Sequence, residues 1–291
     1  MSKSKIILNN ERLKVEIDYP GNNYKGSRFD WTGFITEILL DDKYSFCTKE
    51  SLVSGKGSGG IGLCNEFGIH TPLGYTSAKP KEKFPKLGIG LLTRSDESDY
   101  FFFDKYEVSP FNFIISKKSD SITFITEPSE CNGYAVKMTK KISIKDNFLV
   151  IDYLLENTGS KEIITEEYCH NFISINKNPV GSGYMLNFPY DINIKEVPEV
   201  LTFNENKISL NKNPKKDFHC NIEGFNAVDN HYWELVFEPL KTGVREHSNF
   251  PVKSVALWGN THVISPEVFI DVNIKPGKTQ KWTRKYEFFT Y

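Results

Sequence analysis

Polar and apolar residues alternate over short stretches along this chain, and few segments show helical periodicity. Successive side chains of a strand point to opposite faces, so a period of two marks a half-buried strand. Ser121-Ile122-Thr123-Phe124-Ile125-Thr126 has that pattern, as does Lys141-Ile142-Ser143-Ile144-Lys145. Asp146-Asn147 supplies a turn before the apolar run 148–155, which ends at Glu156-Asn157-Thr158-Gly159. Together they predict a β-hairpin with one strand buried on both sides. Further strands are expected at 233–237, 254–258, 268–274 and 282–289. A tight turn at Lys275-Pro276-Gly277-Lys278 joins the last two.

Short strands, frequent turn signals and almost no helix predict an all-β protein: two large antiparallel sheets packed face to face. No Pro-rich, Ser-rich or single-sign segment divides the 291 residues, so one domain over 1–291 is expected. Two stretches read as excursions from the sheets. The segment 51–86 carries seven glycines and three prolines and is expected to form a long loop over one end, and 176–187 is the second.

Charge excludes two partner classes. Lys and Arg total 36 against 37 Asp and Glu, a formal net charge of −1, which offers no footprint for nucleic acid or an anionic membrane. No apolar run approaches the roughly 20 residues that cross a bilayer. The opening segment has only Ile6-Ile7-Leu8 as an apolar run, too short for a secretory core, so a cytoplasmic location is expected. The five cysteines, Cys47, Cys64, Cys131, Cys169 and Cys220, form no C-x-x-C pair and read as small buried hydrophobes in a reducing compartment.

The chemistry-bearing motifs are few. Gly55-Lys56-Gly57-Ser58-Gly59-Gly60 matches G-x-G-x-x-G, but no helix pattern follows, so a dinucleotide site is not expected. The histidines at 70, 170, 219, 231, 247 and 262 lack metal-site spacing, and no metal is expected. His219 and His247 read as ordinary surface or core residues. In Thr165-Glu166-Glu167-Tyr168-Cys169-His170-Asn171-Phe172, alternation puts Glu166, Tyr168 and His170 on one face and Glu167, Cys169 and Asn171 on the other. The first face is either the floor of a polar cleft or a solvated surface. Glu267, beside Pro266 in the apolar run 263–270, is either a strand-edge charge or a carboxyl of raised pKa fit for a general base.

Taken in order, these residues resemble the galactose mutarotase-like, or aldose 1-epimerase, superfamily over nearly the whole chain. The resemblance rests on the opening 26–36 segment, the Asn157-Thr158-Gly159 turn, the His170-Asn171-Phe172 strand, the isolated Glu267 and the closing Lys275-Pro276-Gly277 with the strand after it. It implies a β-supersandwich and the opening and reclosing of a pyranose ring, Glu267 acting as base and His170 as acid. The two should face one cleft with room for a sugar ring between them, and Glu166 is expected to raise the His170 pKa. The resemblance also implies a small carbohydrate as substrate and no cofactor. Departures are present: Leu87 stands where the phosphosugar branch has a second histidine, and the family's Asn-Arg pair falls at Asn65-Glu66. His70 or Lys86 is expected to supply the donor missing at Leu87, Arg28 is the expected replacement for the arginine, and Glu66 is expected to line the same cleft. Asp229, in Asp229-Asn230-His231-Tyr232, matches a family aspartate loosely. The run Lys79-Pro80-Lys81-Glu82-Lys83 reads as a phosphosugar contact or a solvated loop. A carbohydrate-binding sandwich without catalysis and a lyase or glycosidase domain are the competing functions.

Overall fold

The computed structural model describes residues 5–70, 72–225 and 231–291. Its strands form two large antiparallel sheets and a small third one, the all-β class expected. The nine-stranded sheet runs Ile6–Asn9, Leu13–Asp18, Phe34–Leu40, Gly62–Phe67, Ile163–Phe172, Ile264–Ile274, Ser254–Gly259, Phe218–Ile222, with Tyr44–Ser45 paired beside Phe34–Leu40. The ten-stranded sheet runs Leu201–Asn204, Lys207–Leu210, Tyr184–Asn187, His231–Phe237, Thr242–Ser248, Thr279–Thr290, Phe148–Asn157, Val136–Lys145, Ser121–Thr126, Phe113–Lys117. Lys83–Lys86, Gly90–Thr93 and Glu107–Pro110 make the small sheet. Among the described residues, no helix is long and apolar enough to cross a membrane.

Local chemistry explains the hairpin at 136–157. Lys145 pairs with Phe148, which leaves Asp146-Asn147 as a two-residue turn with Asp146 at φ 51°. Aspartate tolerates that left-handed backbone because its short side chain bonds locally. Burial in Phe148–Asn157 alternates, however. Leu149, Ile151, Tyr153 and Leu155 enter the core, whereas Val150, Asp152 and Leu154 are half-buried on the other face. The expected double-sided burial is therefore wrong, because only one face of this sheet meets its large partner.

Two turns carry the chain from sheet to sheet. Phe148–Asn157 and Ile163–Phe172 belong to different sheets, as do Ile264–Ile274 and Thr279–Thr290. Asn157 fastens the two crossings together: its Nδ2 donates to the Lys161 and Ile274 carbonyls, both at 2.8 Å, and its carbonyl accepts from Gly277 N at 2.9 Å. Between the large sheets lies the main apolar core, where Tyr153 stacks on Trp282 with ring centroids 4.8 Å apart.

Charged residues also cross that core. Arg284 donates from Nη2 to Glu167 and from Nη1 to Glu246, each at 2.7 Å, and from Nη2 to the Val268 carbonyl at 2.9 Å. Trp233 and Trp282 donate to the same carboxylates, and Asn65 Nδ2 donates to Glu167 at 2.7 Å. Lys140 continues the chain, donating to Asn65 Oδ1 at 2.9 Å and pairing with Asp30 at 3.1 Å. Fully buried charges persist only when paired and hydrogen-bonded, and each of these is.

The stretch 51–86 is not one long loop. Gly62–Phe67 inside it is a central strand of the nine-stranded sheet, buried at every position, and Lys83–Lys86 belongs to the small sheet. Gly62 sits at φ 65°, and a Cβ there would run into the Ile35 carbonyl, so glycine here serves a close strand contact rather than a loop. The glycine-rich 55–60 segment wraps a carboxylate: Ser58 N and Gly60 N donate to Glu50 Oε2 at 2.6 and 3.2 Å. A satellite core with Phe29, Trp31, Phe84, Tyr106 and Phe172 covers part of the outer face of the nine-stranded sheet. All five cysteines are free and buried.

Candidate active site

Strand alternation in Ile163–Phe172 sends Glu167 into the core, and so turns Glu166, Tyr168 and His170 to the outer face. Of the two readings of that face, the cleft is the one found. Tyr168 pairs with Phe269, and Ile173 bridges Ile264 in the same register, which sets His170 directly across from Glu267. His170 and Glu267 are each 5% exposed, and both line a cavity of about 890 Å³ with Arg28, His70, Tyr168 and Trp258.

The two groups touch. His170 Nδ1 lies 3.3 Å from Glu267 Oε1, so the space for a sugar ring between them, expected from the sequence, is absent. Anomeric chemistry explains why contact is compatible with catalysis. The anomeric hydroxyl oxygen and the ring oxygen are bonded to the same carbon, so an acid and a base serving both must converge.

Ser265 holds the pair. Its Oγ is 2.9 Å from His170 Nδ1 and 3.0 Å from Glu267 Oε1, and it accepts from Asn171 N at 2.9 Å. A hydroxyl has one proton to donate and two lone pairs, and Asn171 uses one pair. If Ser265 donates to Glu267, then Nδ1–H must donate to Ser265. If it donates to Nδ1, then Glu267 must carry the proton. One hydrogen shift through Ser265 interconverts the two states. Asn171 is itself fixed, its Nδ2 donating to the Pro266 carbonyl at 2.6 Å and its Oδ1 accepting from Tyr286 OH at 3.1 Å.

Burial sets the resting protonation. It raises the Glu267 carboxyl to about 8, against an opposing hydrogen bond from Ser265, and lowers His170 well below its usual 6.5, with Arg28 adding to the effect. At neutral pH the pair therefore holds one proton, resting on Glu267. The sequence reading that Glu166 raises the His170 pKa is overturned. Glu166 is committed to Lys253 at 2.8 Å, and burial of the imidazole dominates.

The remaining expected residues separate into two groups. Arg28 reaches the cleft but is held from below, donating to Glu66 Oε2 at 2.9 Å, Tyr168 OH and Ser58 Oγ, both at 3.1 Å. Its guanidinium stacks 4.2 Å from the ring of Phe102, a half-buried aromatic on the cleft wall. His70 lines the rim, exposed. Glu66 and Lys86 lie beneath the floor: Lys86 Nζ donates to Glu66 at 3.3 Å and to Gly68 O and Tyr100 OH at 3.1 Å, and burial lowers its pKa. Neither presents a free group to the cavity, which corrects their expected substrate contact. Leu87 is a core residue, and Lys79, Lys81 and Lys83 are exposed outside the cavity lining. Asp229 lies outside the described residues. Ser265, Phe102 and Trp258 escaped the sequence reading, although Ser265 shares a strand face with Glu267, two residues away.

No protein-family model matches the chain, and no curated protein matches it by sequence. Solved structures do match. A galactose mutarotase related enzyme from Lactobacillus acidophilus aligns with TM-score 0.62 at 11% identity, covering 99% of this chain and 98% of that one. A galactose mutarotase-like protein from Lactobacillus casei aligns with TM-score 0.61 at 13% identity over 98% and 100%. An aldose epimerase homologue from C. elegans gives 0.57 at 10% identity over 99% of both chains. At such identities the likeness speaks for architecture alone, and end to end the fold of this chain is the galactose mutarotase-like fold.

Proposed function

We propose that the protein interconverts the anomers of an aldose by acid–base ring opening. The observation that carries this reading is the buried His170–Ser265–Glu267 unit on a cavity floor, its imidazole and carboxyl linked through one hydroxyl. His170 Nε2 makes no hydrogen bond within the described residues, which leaves it for a ligand. Shift of the proton through Ser265 ionises Glu267 and makes His170 an imidazolium. Glu267 then takes the proton from the anomeric hydroxyl as the C1–O5 bond breaks, and its electron pair stays on O5. Nε2–H of His170 protonates O5, and a free aldehyde results. Rotation about C1–C2 presents the other carbonyl face, and the reverse transfers close the ring as the other anomer. Both groups end as they began, and nothing is oxidised or reduced.

Polarimetry of freshly dissolved pure α-aldoses tests the proposal. The protein should speed the approach to equilibrium, and Glu267→Gln should slow it by about 10²–10⁴-fold, the usual worth of one acid–base group. Equal rates for the two proteins would remove Glu267 from the chemistry.

A second reading, a carbohydrate-binding protein without catalysis, draws on Arg28, which commits three of its five N–H donors to Glu66, Tyr168 and Ser58 and keeps the others at the cleft. It predicts sugar binding with no change in the anomerisation rate of any aldose.

A further inference from the structure

The cavity is much larger than the ring-opening chemistry requires. About 890 Å³ lies near the top of the roughly 300–1,000 Å³ that houses drug-sized ligands, well beyond one hexose. The excess has a direction, set by strand register. Glu267 pairs with Ala256, and Ala256 pairs with Asn221 on the edge strand. In the neighbouring row Ser265 pairs with Trp258 and Trp258 with His219. Directly opposed residues of antiparallel strands share a face, so both rows continue the catalytic floor. Strands lie about 4.8 Å apart, which sets Asn221 and His219 roughly 10 Å from the pair. That distance exceeds one pyranose ring.

The chemistry along these rows is that of a sugar site. Trp258 is half-buried, offering an apolar surface to the cavity, while Asn221 and His219 are exposed within it. The Asn221 amide makes no hydrogen bond within the described residues. Asn260 and His262 close the far end, Asn260 Oδ1 accepting from His262 N at 3.1 Å. Amides and imidazoles give and take hydrogen bonds without demanding a charge, which suits hydroxyl groups. The lining also holds Lys56, Asp217 and Lys253, of mixed sign, and Lys253 is paired with Glu166 and Asp271.

We infer that Trp258, Asn221 and His219 form a second sugar subsite, and that the ligand is a reducing disaccharide or longer, its reducing unit at His170 and Glu267. This rests on the proposed function for the placement of the reducing end. The balance of uncharged hydrogen-bonding groups favours a neutral second unit over a phosphorylated one.

Calorimetric titration tests the subsite independently of catalysis. The probes are reducing 1→3, 1→4 and 1→6 hexose disaccharides, each compared with its own reducing-end monosaccharide. At least one disaccharide should bind tenfold or more tightly than its monosaccharide. Asn221→Ala with His219→Ala, both at exposed positions, should abolish that gain and leave monosaccharide affinity within about twofold. The inference is overturned if no disaccharide gains affinity, or if the double variant weakens both sugars alike. Anomer exchange measured on the same sugars reports on ring opening alone. A disaccharide gain without exchange would retain the subsite and remove the catalytic reading.

Discussion

Ser265 carries the arrangement at the scale of single residues. Without its hydroxyl, His170 and Glu267 remain 3.3 Å apart but lose the group that fixes which nitrogen bears hydrogen. Ser265→Ala should slow anomer interconversion by roughly tenfold, about the net worth of one hydrogen bond to a charged group, and Ser265→Thr should restore it. Nitrogen NMR of the His170 ring distinguishes this from general damage: the alanine variant should show mixed tautomers, the threonine variant one. A single tautomer in both would contradict the positioning role. In the sequence Glu267 stands out as a lone carboxylate in an apolar run, and alternation puts His170 on one face with Glu166 and Tyr168, but their roles come only from the family resemblance. Ser265 was not legible, since a serine among apolar residues has no signal until its partners from Ile163–Phe172 lie beside it.

Strands differ in how far their patterns expose them. Ser121–Thr126 alternates and was read as a strand, and so was the 141–145 half of Val136–Lys145, whereas Gly62–Phe67 was hidden in a glycine-rich stretch. Both faces of that strand are covered: Asn65 meets Glu167 and Lys140 within the core, and Glu66 meets Arg28 and Lys86 outside it. A strand whose polar residues are satisfied from distant segments shows neither alternation nor an apolar run. Thr279–Thr290 differs in that it alternates, with Trp282, Arg284, Tyr286 and Phe288 buried, and its Arg284 balances Glu167 and Glu246 from the core face. Arg284→Met should cost about 3–5 kcal/mol, because it leaves two carboxylates facing each other without a cation. Urea unfolding at pH 7 and pH 5 checks this, and the deficit should shrink at the lower pH as Glu246, whose pKa burial raises, takes up a proton. An unchanged midpoint would mean that the core does not depend on the buried cation.

Over the whole molecule, two sheets enclose one core, and the cleft opens on the outer face of the nine-stranded sheet. The sheets followed from alternation, but their connections did not. The turns at 157–162 and 275–278 look like hairpin turns in sequence, and only tertiary structure shows that they cross between sheets. The cleft chemistry descends from that layout: on the outer face Phe29, Phe172 and Trp258 crowd His170, and burial displaces the His170 and Glu267 pKa values in opposite directions. The pair therefore keeps its single proton from well below pH 6.5 up to about 8. The most direct measurement is the pH dependence of exchange between α and β anomeric protons, followed by magnetisation-transfer NMR on an aldose that the protein accelerates. The predicted rate is level as pH falls through 6.5 and declines as pH rises through about 8, with the enhancement absent in Glu267→Gln at every pH. A rate that instead climbs through pH 8, or falls on acidification through 6.5, would contradict a single proton shared by His170 and Glu267.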